Sequence, residues 1–215
     1  MKNILLLLSL LFAITTTRAA VTNQTVVYQD GEVTLEGCLV WDDARSTPVP
    51  GILMFHQWGG WGDYELMRAR GLVADGYAVF IADVYGQGIR PATQQERVVE
   101  ITKYRSNRPL MRGRARAALE AFRAQPVAVG KIAAIGYCFG GTVSLEMARD
   151  RAAVDAVVSL HGGLSTDHPA APASLNGFPI LVLHGGDDPY VPDDEVSTFR
   201  NEMRQAKAGW QIVEY

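Results

Sequence analysis

Short apolar runs alternate along this chain with segments whose apolar positions recur every three or four residues, the pattern of a sheet interleaved with helices. Residues 24–29 and 32–41 are two β-rich runs on either side of Asp30-Gly31, which predicts a hairpin. Residues 52–55 (ILMF) and 77–84 (YAVFIADV) read as strands buried on both faces. Between them, residues 63–74 read as a helix with Asp63 as N-cap, closed by Asp75-Gly76. Helices are expected over 92–105 and 109–124, strands at 154–160 and 179–183, a helix over 191–206 and a last strand at 210–215. Arginines 105, 108, 112, 114, 116 and 123 fall among Ala and Leu at helical spacing, with Glu120 four residues after Arg116, which predicts a solvated helix face.

This order of elements predicts an α/β fold with a mainly parallel sheet, helices on both faces and an N-terminal antiparallel hairpin. Ligands of such sheets bind beyond the carboxyl ends of the strands, at a switch in strand order. The loops after residues 55, 84, 137, 160 and 184 are therefore expected to share one rim.

Residues 131–147 (KIAAIGYCFGGTVSLEM) hold the most informative local pattern. An apolar strand meets Gly136-Tyr137-Cys138-Phe139-Gly140-Gly141 and a helical pattern follows directly, so Cys138 occupies the apex of a sharp strand–turn–helix. Glycines two residues either side of an apex suit such a turn, where side chains would collide. A thiol there faces the positive end of the helix, and the expectation is a lowered pKa and a nucleophile elbow with cysteine for the usual serine. The plainer alternative is a small buried hydrophobe beside glycines that permit close packing.

Composition narrows the setting. Lys2, the apolar run 4–14 and the small residues up to Ala20 form a signal-peptide pattern, so residues 1–20 are expected to be removed on export to the periplasm or medium. Residues 21–215 then fit a single domain. Loss of Lys2 and Arg18 takes the formal charge from −3 to −5, and a mildly acidic chain without a basic block gives no support for nucleic-acid binding. The only cysteines, Cys38 and Cys138, are expected to stay unpaired, because Cys38 lies in the strand pattern of the hairpin. No nucleotide fingerprint, cofactor motif or metal-ligand spacing is evident among His56, His161, His168 and His184.

With Cys138 in G-x-C-x-G-G and His184 to Pro192 reading H-G-G-x-D-P-x-V-P, the chain resembles the dienelactone hydrolase family of α/β-hydrolases from about residue 33 onward. His56-Gln57-Trp58-Gly59-Gly60 and the stretch from Gly76-Tyr77 to Asp83-Val84-Tyr85-Gly86 support the likeness. The resemblance implies a Cys–Asp–His triad with Cys138 as nucleophile and Asp188 as the acid, Asp187 being the adjacent competitor. It also implies an oxyanion hole from the backbone N–H groups of Trp58 and Phe139. Gln57, Trp61, Tyr85, Arg90 and His161 are the expected pocket residues, and a small ester or lactone the expected partner, with no cofactor.

Two departures qualify the resemblance. The family's histidine follows the last strand, which here reaches Tyr215, so the matching position is not in the chain and truncation is the expectation. Gln57 stands where well-known members carry a glutamate beside the thiol. Both departures keep open a catalytically inactive hydrolase-fold binding protein.

Overall fold

The computed structural model describes residues 21–215, so the expected export segment lies outside the described residues. The first hairpin forms where the pattern placed it, one residue later at the turn. Strands β1 (Val21–Asp30) and β2 (Val33–Asp42) pair from Val21↔Asp42 to Asp30↔Val33, leaving Gly31 and Glu32 as the turn, with Gly31 at φ 59°. The chain continues through β3 (Val49–Phe55), α1 (Asp63–Ala74), β4 (Ala78–Ala82), α2 (Gln94–Arg105) and α3 (Arg108–Arg123). It then runs through β5 (Ala128–Tyr137), α4 (Phe139–Arg149), β6 (Ala156–Leu160), β7 (Pro179–His184), α5 (Asp193–Ala206) and β8 (Gly209–Glu214).

The strands form one eight-stranded sheet in the order β1-β2-β4-β3-β5-β6-β7-β8. The pairings β1–β2 and β2–β4 are antiparallel; all others are parallel. Strand order reverses at β3, whose successor β4 lies on one side while β5 lies on the other. The loops leaving β3 and β5 thus flank the switch point, where a crevice opens at the strands' carboxyl ends.

Helices cover both faces. On one face Ala69 and Val73 of α1 pack on Cys38, Val40, Ile52, Met54, Val79 and Ile81. On the other, Met111, Ala118 and Phe122 of α3, Val143 and Met147 of α4, and Phe199 and Met203 of α5 close the larger core over Leu53, Phe55, Phe80, Ala134 and Val182. At the start of α1 the cap is Gly62 rather than Asp63, which sits in the first turn; the Glu65 carboxylate reaches back to the Gly62 N–H at 3.0 Å.

Three of the α3 arginines depart from the solvated face that their spacing suggested, while Arg116 and Arg123 are exposed as expected. Arg108 and Arg114 are buried, and Arg112 is nearly so. Arg112 pairs with Glu146 of α4 at 2.7 Å, Arg114 with Asp30 at 2.5 Å, and Arg116 with Asp150 rather than Glu120. Glu146 also pairs with Arg149 at 2.9 Å, and Arg149 with Glu202 of α5 at 2.7 Å. These buried groups clamp the loop after β6: Arg149 and Arg108 donate to the Leu164 and Ser165 carbonyls at 2.6 and 2.8 Å, and the Glu195 carboxylate accepts both N–H groups of those residues. Helical periodicity reports a face, and cannot distinguish one meeting water from one meeting another helix.

Candidate active site

The last residue of β5, Tyr137, is followed by Cys138 at φ 55°, ψ −118° and then directly by the first turn of α4. A non-glycine residue held there stores about 1–3 kcal/mol of strain, which the surroundings must offset. The Cys138 N–H donates to the Leu160 carbonyl at 2.9 Å, and the Cys138 carbonyl accepts from Gly141 N–H at 2.9 Å. Two flanking glycines are sterically required. A Cβ on Gly136 would lie 1.9 Å from the Gly140 oxygen, and one on Gly140 would lie 2.2 Å from the Phe55 oxygen. The strand–turn–helix is an elbow that only this spacing of glycines permits.

Cys138 opens into a cavity of about 780 Å³ at the carboxyl ends of the strands. Trp58, His161, Asp187, Asp188 and Tyr215 border it from segments that follow strands, Phe139 from the first turn of α4, and α2 supplies a wall of Val98, Ile101, Thr102 and Arg105. Those four positions follow i, i+3, i+4, i+7, one face of a helix. The helix predicted over 92–105 carries no mark in sequence that singles out this wall, and Arg105 falls in sequence with the α3 arginines. The i+3/i+4 recurrence ending in an arginine was the available signal.

The thiol's environment corrects the expectation of a lowered pKa. Burial holds Cys138 above the ordinary thiol value; the Phe139 N–H and the Arg105 guanidinium oppose this, and the Asp188 charge reinforces it. Among the described residues Arg105 is the one basic side chain bordering the cavity besides His161, and it lies against Gly163, where an added Cβ would come within 2.6 Å of its guanidinium. Cys38 is free and buried among strand side chains, with its thiol pushed up to about 11 by burial; Cys138 is also free.

Asp188 follows β7 on a tight turn. Its N–H donates to the Gly185 carbonyl at 3.0 Å, while its Oδ1 accepts the Tyr190 N–H at 2.9 Å. Asp187 borders the same cavity. Strand β8 runs beside this turn: Tyr215 donates to the His184 carbonyl at 3.2 Å, and Gly186 donates to the Tyr215 carbonyl at 3.0 Å.

The expected pocket residues divide. His161 borders the cavity, its backbone at φ 43° and its N–H bonded to the Leu183 carbonyl; burial lowers its pKa and the Asp188 charge partly restores it. Trp61, Arg90, Gln57 and Tyr85 are not among the lining residues. Trp61 donates through Nε1 to the Glu36 carbonyl at 2.6 Å, and Arg90 covers the Trp61 ring at 4.9 Å while donating to the Trp61 and Ile89 carbonyls. Trp61 ties its loop to β2 and Arg90 ties the loop after β4 to the loop of Trp61, instead of facing the cavity. Gln57 donates its N–H to Glu65 at 3.3 Å, and Tyr85 is buried behind Trp58.

Of the remaining histidines, His56 is fully buried between backbone groups, His184 is buried on β7, and His168 is exposed beside Asp167. Among the described residues no group of three or more His, Cys, Asp or Glu side chains is drawn together as a metal site.

A mainly parallel sheet with helices on both faces, a strained elbow after its fifth strand and an acid loop after its seventh define the α/β-hydrolase class. Within that class the chain belongs to the dienelactone hydrolase family, whose profile matches residues 35–215. Among solved structures it is similar to the dienelactone hydrolase-like promiscuous phosphotriesterase P91 from metagenomic libraries, at 36% identity and a TM-score of 0.83, over 91% of this chain and 82% of that one. It is 28% identical to the carboxymethylenebutenolidase of Pseudomonas putida over 163 residues, 73% of this chain and 67% of that protein. The alignment to a Salmonella typhimurium protein is shorter, 33% identical over 87 residues, so the chain matches 37% of its own length to about a third, 32%, of that relative.

Proposed function

We propose that the protein hydrolyses a small ester or lactone through an acyl-cysteine formed on Cys138. The observation that carries this reading is Cys138 held at φ 55° on the elbow, opening into an apolar-walled cavity beside Phe139, Trp58 and Asp188. The Cys138 thiolate attacks the substrate carbonyl, a C–S bond forms, and the carbonyl electron pair moves onto oxygen. The N–H groups of Phe139 and Trp58 receive that charge, and among the described residues no acceptor takes the Trp58 N–H. Collapse expels the alcohol oxygen, which takes a proton, and water then cleaves the thioester to return the thiol and release the acid. The resemblance implies that a histidine following the last strand performs these proton transfers and that Asp188 orients it; the support for this is that β8 runs beside the Asp188 turn.

Family membership favours this reading over a catalytically inactive binding protein. The neighbour described as a promiscuous phosphotriesterase makes a phosphotriester the second substrate class to assay. The apolar run after Lys2 supports work outside the cytoplasm, which N-terminal sequencing of the native protein tests. For the reaction itself, Cys138→Ala should abolish turnover of p-nitrophenyl acetate while the thermal transition stays in place. Retained turnover at the unsubstituted rate would overturn the assignment.

A further inference from the structure

The oxyanion donor Trp58 lies in a loop, where backbone N–H groups are ordinarily the least fixed, yet the two peptide groups flanking it are each held by a buried side chain. A peptide unit is planar, so the Gln57 carbonyl and the Trp58 N–H point in opposite directions from one rigid plate. His56 Nδ1 lies 2.6 Å from the Gln57 oxygen, and His56 Nε2 accepts the Val84 N–H at 3.2 Å. Because Nε2 is the acceptor, the ring proton sits on Nδ1 and is donated to the Gln57 carbonyl. Fixing that carbonyl fixes the direction of the Trp58 N–H.

The following plate is held as well. The Tyr85 hydroxyl donates to the Trp58 carbonyl at 3.0 Å. Tyr85 is itself immobilised: its N–H donates to Asp83 Oδ1 at 3.0 Å, its carbonyl accepts the Tyr104 hydroxyl at 3.0 Å, and its ring meets the His56 ring at 4.6 Å and the Tyr104 ring at 5.5 Å. The Phe139 ring packs on Tyr85 at 5.5 Å and on His56 at 6.0 Å. Phe139 is the residue whose N–H forms the second half of the hole. The close approach of Gly140 to the Phe55 and His56 carbonyls sets the separation of the two donors.

We propose that His56 and Tyr85 are positioning residues that lock the Trp58 N–H toward the oxyanion and register it against the Phe139 N–H. Neither side chain borders the cavity, so neither is a catalytic residue, and His56 acts as a neutral strut instead of a proton acceptor. This inference rests on the acyl-cysteine reading.

The test compares two reactions of the same thiol. Acylation by p-nitrophenyl acetate passes through an oxyanion; alkylation by iodoacetamide does not. Tyr85→Phe keeps the ring stack and removes one hydrogen bond. It should slow the p-nitrophenol burst about tenfold or more, part of the hundredfold or greater loss seen when such a donor is deleted. The half-saturating ester concentration and the alkylation rate of Cys138 should stay within about twofold. His56→Phe, which retains a ring beside Tyr85 and removes both nitrogens, should show the larger loss of acylation. An undiminished burst in Tyr85→Phe, or an equal loss of acylation and alkylation, would overturn the inference whether or not His56→Phe folds. Unsubstituted protein that releases no p-nitrophenol at all would instead overturn the parent reading.

Discussion

At the scale of single residues, the proposed chemistry depends on how one thiol is solvated. Burial raises the Cys138 pKa, so the thiol is mostly protonated at neutral pH and the thiolate fraction grows as pH rises through the raised value. The rate of alkylation at Cys138, followed by mass spectrometry, should therefore climb to a midpoint above that of a free cysteine. Arg105→Gln removes a charge that lowers this pKa and should move the midpoint further up; an unchanged midpoint would show that the guanidinium does not act on the thiol. Cys38, with its thiol near 11 and its side chain buried, should remain unlabelled under the same conditions. The position of Cys138 was legible because G-x-C-x-G-G writes a turn into the chain. Its titration was not, because burial, the Phe139 N–H and the charges of Arg105 and Asp188 act on the thiol together, and adjacency along the chain encodes neither the burial nor the two charges.

At the scale of elements, the elbow depends on the absence of side chains where backbones touch. Gly136→Ala would place a methyl group 1.9 Å from the Gly140 oxygen, and neither backbone can yield without opening the turn. It should cost about 3 kcal/mol or more in urea denaturation, the upper end of overpacking effects. Gly71 offers the internal contrast: it is exposed within α1, and an added Cβ there meets nothing within 4 Å. Gly71→Ala should be neutral or stabilise by up to about 1 kcal/mol, since alanine is the better helix former. A comparable loss at both positions would mean that contact at the elbow is not what selects glycine. The strands and helices themselves were readable from periodicity, with α1 found at its observed residues and the other boundaries shifted by a few. The cavity-facing side of α2 escaped because the same recurrence describes a helix facing a core, a solvent or a cavity.

At the scale of the whole molecule, two sets of long-range ties hold the rim. One is the aromatic and histidine group under Trp58; the other is the buried ion network that joins α3, α4 and α5 to residues 164–170. Arg149→Met leaves Glu146 and Glu202 without their shared partner and frees the Leu164 carbonyl. It should cost about 3–5 kcal/mol, as breaking one side of a buried pair does, and a loss below about 1 kcal/mol in urea titration would contradict the clamp. The network was illegible in the sequence for a physical reason: Arg112 and Arg149 find partners on other helices, which only the fold brings near. The strand–helix order, by contrast, predicted which loops meet at one rim, because parallel strands send all their carboxyl ends the same way. The central claim is that Cys138 is the group that becomes acylated. Intact-protein and peptide mass spectrometry after rapid quenching with p-nitrophenyl acetate tests it most directly. The account predicts a single acetyl adduct on the peptide containing Cys138, formed at the rate of the p-nitrophenol burst. Ester turnover with the acetyl group on another residue, or with none on the protein at any quench time, would contradict it.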